Sequence, residues 1–252
     1  MKMEVVVQGF PGKTASGSLS WSSVIYVESG DEKILFDTGG PSKRNPIRSH
    51  LQKIGVNANE ITMLVFSHFH DDHVRNYDYF PNARIIMHAK EAEWIQTEPS
   101  DFAVPQFLYP AVQKTGRLEL VTEDGEIAPG VETLLVPGHT PGSMALVLRD
   151  SDMPVTVLTG DAVKNIAELA TGKVAKALDP TLNAQSIKKI RDIAEVVVPG
   201  HDRMLKVTED RIIALTAAHE TIILPAGVAN TDSPRYLELV IEQTWLQKEE
   251  IL

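Results

Sequence analysis

Ser67-His68-Phe69-His70-Asp71-Asp72-His73 decides how the rest of the chain is read. It directly follows an apolar run, Met63-Leu64-Val65-Phe66, which reads as a buried strand. That strand delivers three histidines and two aspartates to its C-terminal end within six residues. In an extended chain His68 and His70 point the same way. Asp72 and His73 follow where the chain is expected to turn. The arrangement suits two adjacent metal ions, one taking His68 and His70, the other Asp72 and His73. Imidazole and carboxylate donors are what a borderline or hard divalent metal wants. The competing reading is a chance cluster in a solvated loop. With eight histidines in 252 residues, an ordered H-x-H-x-D-H pattern arises by chance on the order of 10⁻³ times per chain, so the metal reading is favoured.

Composition sets the frame. A hydrophobic content of 43% with 23% charged residues is ordinary for a soluble protein able to bury a large core. A net charge of −10 disfavours a nucleic-acid partner. The absence of cysteine removes disulfides and thiolate ligands. The start, Met1-Lys2-Met3-Glu4-Val5-Val6-Val7, has no long apolar leader. No apolar run is long enough for a membrane span, so a cytoplasmic enzyme is the expectation.

Outward from the histidines, strands are expected at 4–8, 23–28 and 33–36, the last ending in Asp37-Thr38-Gly39-Gly40. The Gly/Ser-rich stretch from Pro11 to Ser20 reads as a loop. Pro46 to Ile54, closed by Gly55, reads as a helix. Further strands are expected at 84–87, 118–121, 131–136, 144–148, 155–158 and 194–198, with helices at 90–96 and 182–193. Thr97 to Gln113, with three prolines and Phe102, Phe107 and Tyr109, reads as irregular: an aromatic flap or a packed loop. The strand ends share a feature. Polar residues follow them at Asp37, His68, His139, Asp161 and His201, and clustered strand ends are where α/β folds build sites. The endings Leu-Val-Pro-Gly-His and Val-Val-Pro-Gly-His hint at two similar halves. Beyond His201, strands are expected at 211–216 and 221–224, a loop from Pro225 to Pro234 and a helix at 236–248. The whole chain, 1–252, reads as one domain, with about 203–252 an extension that covers the core or forms a homodimer contact.

With these pieces in order, the sequence resembles the metallo-β-lactamase superfamily. The resemblance rests on Asp37 in a D-T-G context, the H-x-H-x-D-H motif, Gly138-His139-Thr140-Pro141-Gly142-Ser143, Gly160-Asp161 and Gly200-His201, and spans residues 33–202. It implies an αββα sandwich of two mixed β-sheets flanked by helices. It also implies the ligands: His68, His70 and His139 for one metal, Asp72, His73 and His201 for the other, and Asp161 bridging. Asp37 looks like a carboxylate that orients a ligating histidine. Two divalent ions are implied, zinc first, with manganese or iron admitted by an all-N/O site.

Among subfamilies, the lack of Cys argues against β-lactamases with a Cys ligand, and His70 against flavodiiron proteins, which carry Glu there. Glyoxalase II is similar in all seven ligands, but its helical C-terminal domain is not obvious. The chain looks most like small lactonases, including N-acyl-homoserine lactonases. It departs from them at Lys164, where they carry Tyr. The expected activity is a dinuclear metallo-hydrolase that uses a metal-bridging hydroxide on an ester-type bond, a lactone first. Asp72, Asp161 and Lys164 are the candidate catalytic residues. The alternatives are a thioester hydrolase of the glyoxalase II type and a phosphodiesterase or nuclease on the same scaffold. A non-catalytic protein that retains the fold is disfavoured by the complete ligand set. The expected partner is a small-molecule substrate, with neither nucleic acid nor membrane. Asp71 is expected to be solvated or in an ion pair, and His50, His88 and His219 to be structural or surface residues.

Overall fold

In the computed structural model, which describes residues 1–174, 176–228 and 232–251, the run before the histidines is a strand, Met63–Val65. It hydrogen-bonds in parallel to Glu32–Phe36 on one side and Arg84–His88 on the other. Such a strand is covered on both faces, hence its unbroken apolar sequence. Met63 and Val65 face a second sheet, while Leu64 faces helices.

The alternation propagates through two sheets. The first has six strands in the order Lys2–Val7, Val24–Ser29, Glu32–Phe36, Met63–Val65, Arg84–His88, Leu118–Val121. The second has eight: Trp245–Gln247, Arg211–Ala214, Leu205–Val207, Val196–Pro199, Met153–Gly160, Met144–Asp150, Val131–Leu135, Glu126–Ala128. Ile25, Val27, Ile34 and Phe36 of the first sheet bury against Leu146, Leu148, Leu158 and Val198 of the second. Val24, Tyr26 and Leu35 face outward, onto Ile47 and Leu51 of the helix Arg44–Lys53 and Ala92 and Ile95 of the helix Ala89–Gln96. On the far side Val147, Val157 and Val197 pack on Leu169 of Ile166–Thr171 and on Ile187 and Ile190 of Pro180–Ile193. The fold is an αββα sandwich. Each such aliphatic side chain contributes roughly 1.5–3 kcal/mol. The helix Pro180–Ile193 is fixed at its start by Asp179, whose carboxylate accepts the Leu182 N–H at 2.8 Å, a cap worth about 1 kcal/mol.

Three expectations fail. Phe10–Thr14 and Gly17–Trp21 pair as a hairpin where a loop was expected. The stretch expected as a helix at 236–248 instead holds the strands Arg235–Ile241 and Trp245–Gln247. The first pairs with Ala218–Leu224 in a separate two-stranded arm, and the second edges the larger sheet. Residues 229–231 of the expected loop lie outside the described residues. The two Pro-Gly-His endings do not fall in separate halves, because both follow strands of the eight-stranded sheet. Among the described residues no helix is long and apolar enough to cross a membrane.

Candidate metal centre

The strand ends converge at one rim of the sandwich. The first sheet brings Asp37 and His68 through His73. The second brings His139, Asp161 and His201, following Val131–Leu135, Met153–Gly160 and Val196–Pro199. The Met144 N–H donates to the Ser67 carbonyl at 2.8 Å, joining the sheets beside His68. Asp71–Val74 is a single helical turn, so Asp72 and His73 swing round to face the strand ends. Gly142 is required by close approach, since a Cβ there would run into the backbone of Glu91.

Two groups of ligand atoms result. Those of His68, His70, His139 and Asp161 lie within 4.8 Å of one another, as do those of Asp72, His73 and His201. Asp161 sits between them. Its Oδ1 is 3.2 Å from His73 Nε2 and 3.1 Å from His201 Nε2, and its Oδ2 is 3.4 Å from His139 Nε2. Asp72 lies 3.5 Å from His201 Nε2 and 3.8 Å from His73 Nε2. Buried polar atoms normally find hydrogen-bond partners, yet His68 Nε2, His73 Nε2 and Asp161 Oδ1 have none among the described residues. Imidazole nitrogens and a carboxylate oxygen that converge in a buried place without hydrogen bonds of their own are satisfied by a cation. The donor set therefore fits divalent metal.

The charges around these groups support this. Burial, with His73, His70 and His139 adding to it, pushes His68 well below the usual histidine range. Burial likewise drives His139 down to about 3, against the pull of Asp161. Both imidazoles are thus neutral, the ligating form, at ordinary pH. Burial opposes the charge on Asp161, but His201, His73 and Lys164 overcome it and hold the carboxyl well below its usual value. Burial also pulls His73 and His201 downward, yet Asp72, Asp161 and Asp37 raise His73 well above its ordinary value, and Asp161 raises His201. The field that draws a proton to these two would draw a dication.

Outer partners fix the rings. Asp37, 1% exposed and at φ +60°, accepts from the Ser67 N–H at 2.8 Å and the Ser67 hydroxyl at 2.8 Å, and meets His73 Nδ1 at 2.7 Å. That left-handed backbone is uncommon outside glycine and is characteristic of functional positions. His201 Nδ1 lies 2.9 Å from the Ser20 hydroxyl and 2.9 Å from the Trp21 carbonyl.

The sequence profile of the metallo-beta-lactamase superfamily matches residues 20–201. The chain belongs to that superfamily. It is similar to metallo-beta-lactamase domain-containing protein 1 of Mus musculus, 28% identical over 180 residues, 71% of this chain and 63% of the mouse protein. It thus spans less than two thirds of that relative's length. An N-acyl homoserine lactonase of Bacillus cereus is 26% identical over 156 residues, covering 60% of each chain. Among solved structures, a protein of Thermotoga maritima shares the fold with a TM-score of 0.66 and 19% identity, over 81% of this chain and 98% of the other. Members of this superfamily are hydrolytic metalloenzymes, and the His/Asp groups stand where this chain would carry its metal.

Within this superfamily member, Lys164 lies beside the ligands. Its Nζ is 3.1 Å from His139 Nδ1, 3.0 Å from the Lys176 carbonyl and 3.7 Å from Asp161 Oδ2. Asp71 pairs with Arg75 at 2.9 Å. His88 caps the helix Ala89–Gln96, and His50 and His219 lie on the helix Arg44–Lys53 and the C-terminal arm.

Two carboxylates were not singled out in the sequence. Asp101 Oδ2 is 3.2 Å from His70 Nε2, and this contact holds its carboxyl down at about 2. That leaves His70 Nδ1 turned to the cluster, 3.1 Å from His139 Nε2. Glu91, fully buried, accepts from Phe69 N at 2.9 Å, the Thr140 hydroxyl at 2.7 Å and Gly142 N at 3.1 Å. It ties the first histidine segment to the loop of His139. Neither stands in a motif; only the hydrophilic Glu in an otherwise apolar helix face hinted at it.

The groups open onto a cavity of about 380 Å³. Phe102, wholly exposed, and Leu178, 55% exposed, stand at its mouth with Ala103 and Ala177. Phe107 instead lies over Arg75 at 5.1 Å, and Tyr109 is buried on Phe69 at 5.6 Å. The aromatic segment thus contributes one residue to the mouth.

Proposed function

We propose that the chain is a dinuclear metal-dependent hydrolase of an ester-type bond, with a lactone or an acyl ester as substrate. The observation that carries the reading is the meeting of two ligand groups at Asp161 beneath a cavity with an apolar mouth. His68, His70 and His139 would hold one ion, Asp72, His73 and His201 the other, and Asp161 both. When bound, such ions supply Lewis acidity and a water of lowered pKa. The chain's own residues do the rest. Asp72, 40% exposed at its side chain, would hold the proton delivered to the leaving oxygen. Lys164, 20% exposed, would offset negative charge that develops beside His139. Phe102 and Leu178 would take the apolar acyl arm and strip water from it. That mouth favours an acyl substrate over a phosphodiester, and the similarity to a lactonase supports a lactone.

The test is a panel on zinc- or manganese-reconstituted protein: N-hexanoyl homoserine lactone, an open hexanoyl ester, a hexanoyl thioester and a phosphodiester. Turnover of the lactone or the ester above the other two is expected. Turnover of the phosphodiester alone would overturn the reading.

A further inference from the structure

The metal-site cavity does not end at the ligands. A second hollow, about 290 Å³, shares Ser20, Lys164, Lys176 and His201 with the first. The two adjoin at these four residues, beside the ligand groups. As arms of the site they differ in chemistry. The arm at Phe102 and Leu178 is apolar. The other runs between the hairpin Phe10–Thr14/Gly17–Trp21 and the segment after Asp161, and is lined by Lys13, Lys164, Lys176, Ser18 and Asn165. Three lysines thus line this hollow, Lys164 and Lys176 where it meets the first, in a chain whose net charge is −10. The carboxylate there, Glu168, is turned inward: it accepts the Lys164 backbone N–H at 2.8 Å, and burial raises its pKa. Lys13 and Lys176 are exposed, and neither ammonium has an ion-pair partner among the described residues. Lys164 faces Asp161 at 3.7 Å and donates to the Lys176 carbonyl at 3.0 Å.

We infer that the substrate is two-armed: an apolar acyl chain toward Phe102 and Leu178, and an anionic substituent, such as a carboxylate, toward Lys13 and Lys176. This rests on the hydrolase reading above and names the substrate class of the same site. Lysine is a flexible point charge rather than a shaped fork, so the arm selects for charge more than for shape. Clustered cations in a cleft also raise the local concentration of an anion.

A pair of inert amides separates this inference from the hydrolase reading, because binding is measured without turnover. Zinc-loaded protein is titrated calorimetrically with N-hexanoylglycine, a carboxylate, and with N-hexanoylglycinamide, its neutral counterpart. The acid is expected to bind about ten-fold tighter, roughly the effect of two exposed ion pairs. That preference should fall close to one in the double variant Lys13→Met/Lys176→Met, and shrink in high salt. A carboxylate can also bind to metal directly, and the double variant distinguishes the two: a preference that survives it places the anion on the metals and overturns the inference. Equal binding of acid and amide by the wild type overturns it too. Failure of the panel's ester and lactone, and of a hexanoyl ester that also carries a carboxylate, with the lysine-dependent preference intact, would refute the hydrolase reading alone.

Discussion

Replacing Asp37 by Asn tests how the histidines are set. Asp37 is joined to two of them. Its Oδ2 meets His73 Nδ1 at 2.7 Å and accepts the Ser67 hydroxyl at 2.8 Å, and that hydroxyl lies 2.9 Å from His68 Nδ1. With metal on the Nε2 atoms, the hydrogen bonds require both Nδ1 atoms to be protonated: the Ser67 hydroxyl gives its proton to Asp37, so His68 Nδ1 donates to that hydroxyl and His73 Nδ1 to Asp37. Asn tolerates the left-handed backbone at φ +60°, so the fold should persist. Its amide, however, has one acceptor. If that oxygen keeps the Ser67 N–H, the NH₂ faces His73 Nδ1 and the hydroxyl, and both rings are driven to the wrong tautomer. If the amide flips, the Ser67 N–H is left buried and unpaired, at about 1–3 kcal/mol. Either route should weaken metal affinity by roughly 10–100-fold. Apo protein is titrated with zinc against a chromophoric chelator, with near-ultraviolet circular dichroism as the control for folding. An Asn variant that binds zinc within about three-fold of wild type would refute the tautomer argument.

Asp161→Ala should lose at least one bound metal by elemental analysis while remaining folded, and activity should vanish with it; full loading would count against the shared carboxylate. Gly142→Ala drives a Cβ into the Glu91 backbone and should cost about 1–3 kcal/mol, read as a lower urea midpoint. Lys33, with the Asn57 N–H and side chain, holds the Glu60 carboxyl down at about 2, from an ordinary 4.5. A depressed carboxyl stabilises fully above its ordinary pKa, and that contribution is lost as pH falls through about 2. Glu60→Gln should therefore flatten the stability–pH slope between about 4.5 and 2, measured by denaturant titration at stepped pH. Metal removal by a chelator should lower Tm, since a ligand at 1,000 times its Kd stabilises by about 4 kcal/mol.

What the sequence disclosed followed from periodicity. Met63–Val65 and Val196–Pro199 are buried on both faces and carry unbroken apolar runs, so both strands were legible without their partners. The hairpin Phe10–Trp21 was not. Its strands hold Gly12, Gly17, Ser18 and Ser20, a turn-like composition, and its order comes from a cross-strand stack, Phe10 on Trp21 at 4.9 Å, and from a contact remote in sequence, the Trp21 carbonyl on His201. The Arg235–Ile241 strand was misread because Leu237, Leu239, Val240 and Ile241 satisfy a helical stripe as readily as a strand. Asp101 was invisible for another reason. It reaches His70 from a loop 31 residues downstream, and no spacing rule encodes that contact.

The arrangement of ligands across the fold explains why so much depends on a few strand ends. His68, His70, Asp72 and His73 belong to one sheet, and His139, Asp161 and His201 to the other. Neither group of ligand atoms is complete on one sheet: the first takes His68 and His70 from one side and His139 and Asp161 from the other, and the second joins Asp72 and His73 to His201. The core between the sheets is apolar and non-directional, and it would tolerate small slides of one sheet over the other. Directional bonds at the rim do not. Ser23 donates its N–H to the Gly200 carbonyl at 2.7 Å and its hydroxyl to the Pro199 carbonyl at 2.7 Å, and Met144 reaches Ser67. These bonds pin the sheets in register where the ligands meet. The Pro-Gly-His endings serve the same end: a Cβ on Gly200 would strike Asp161, and one on Gly138 would strike the backbone of Asn183. Both glycines let a histidine-bearing loop close down on its neighbour, so the repeat reflects a shared steric demand at one rim rather than a duplicated half.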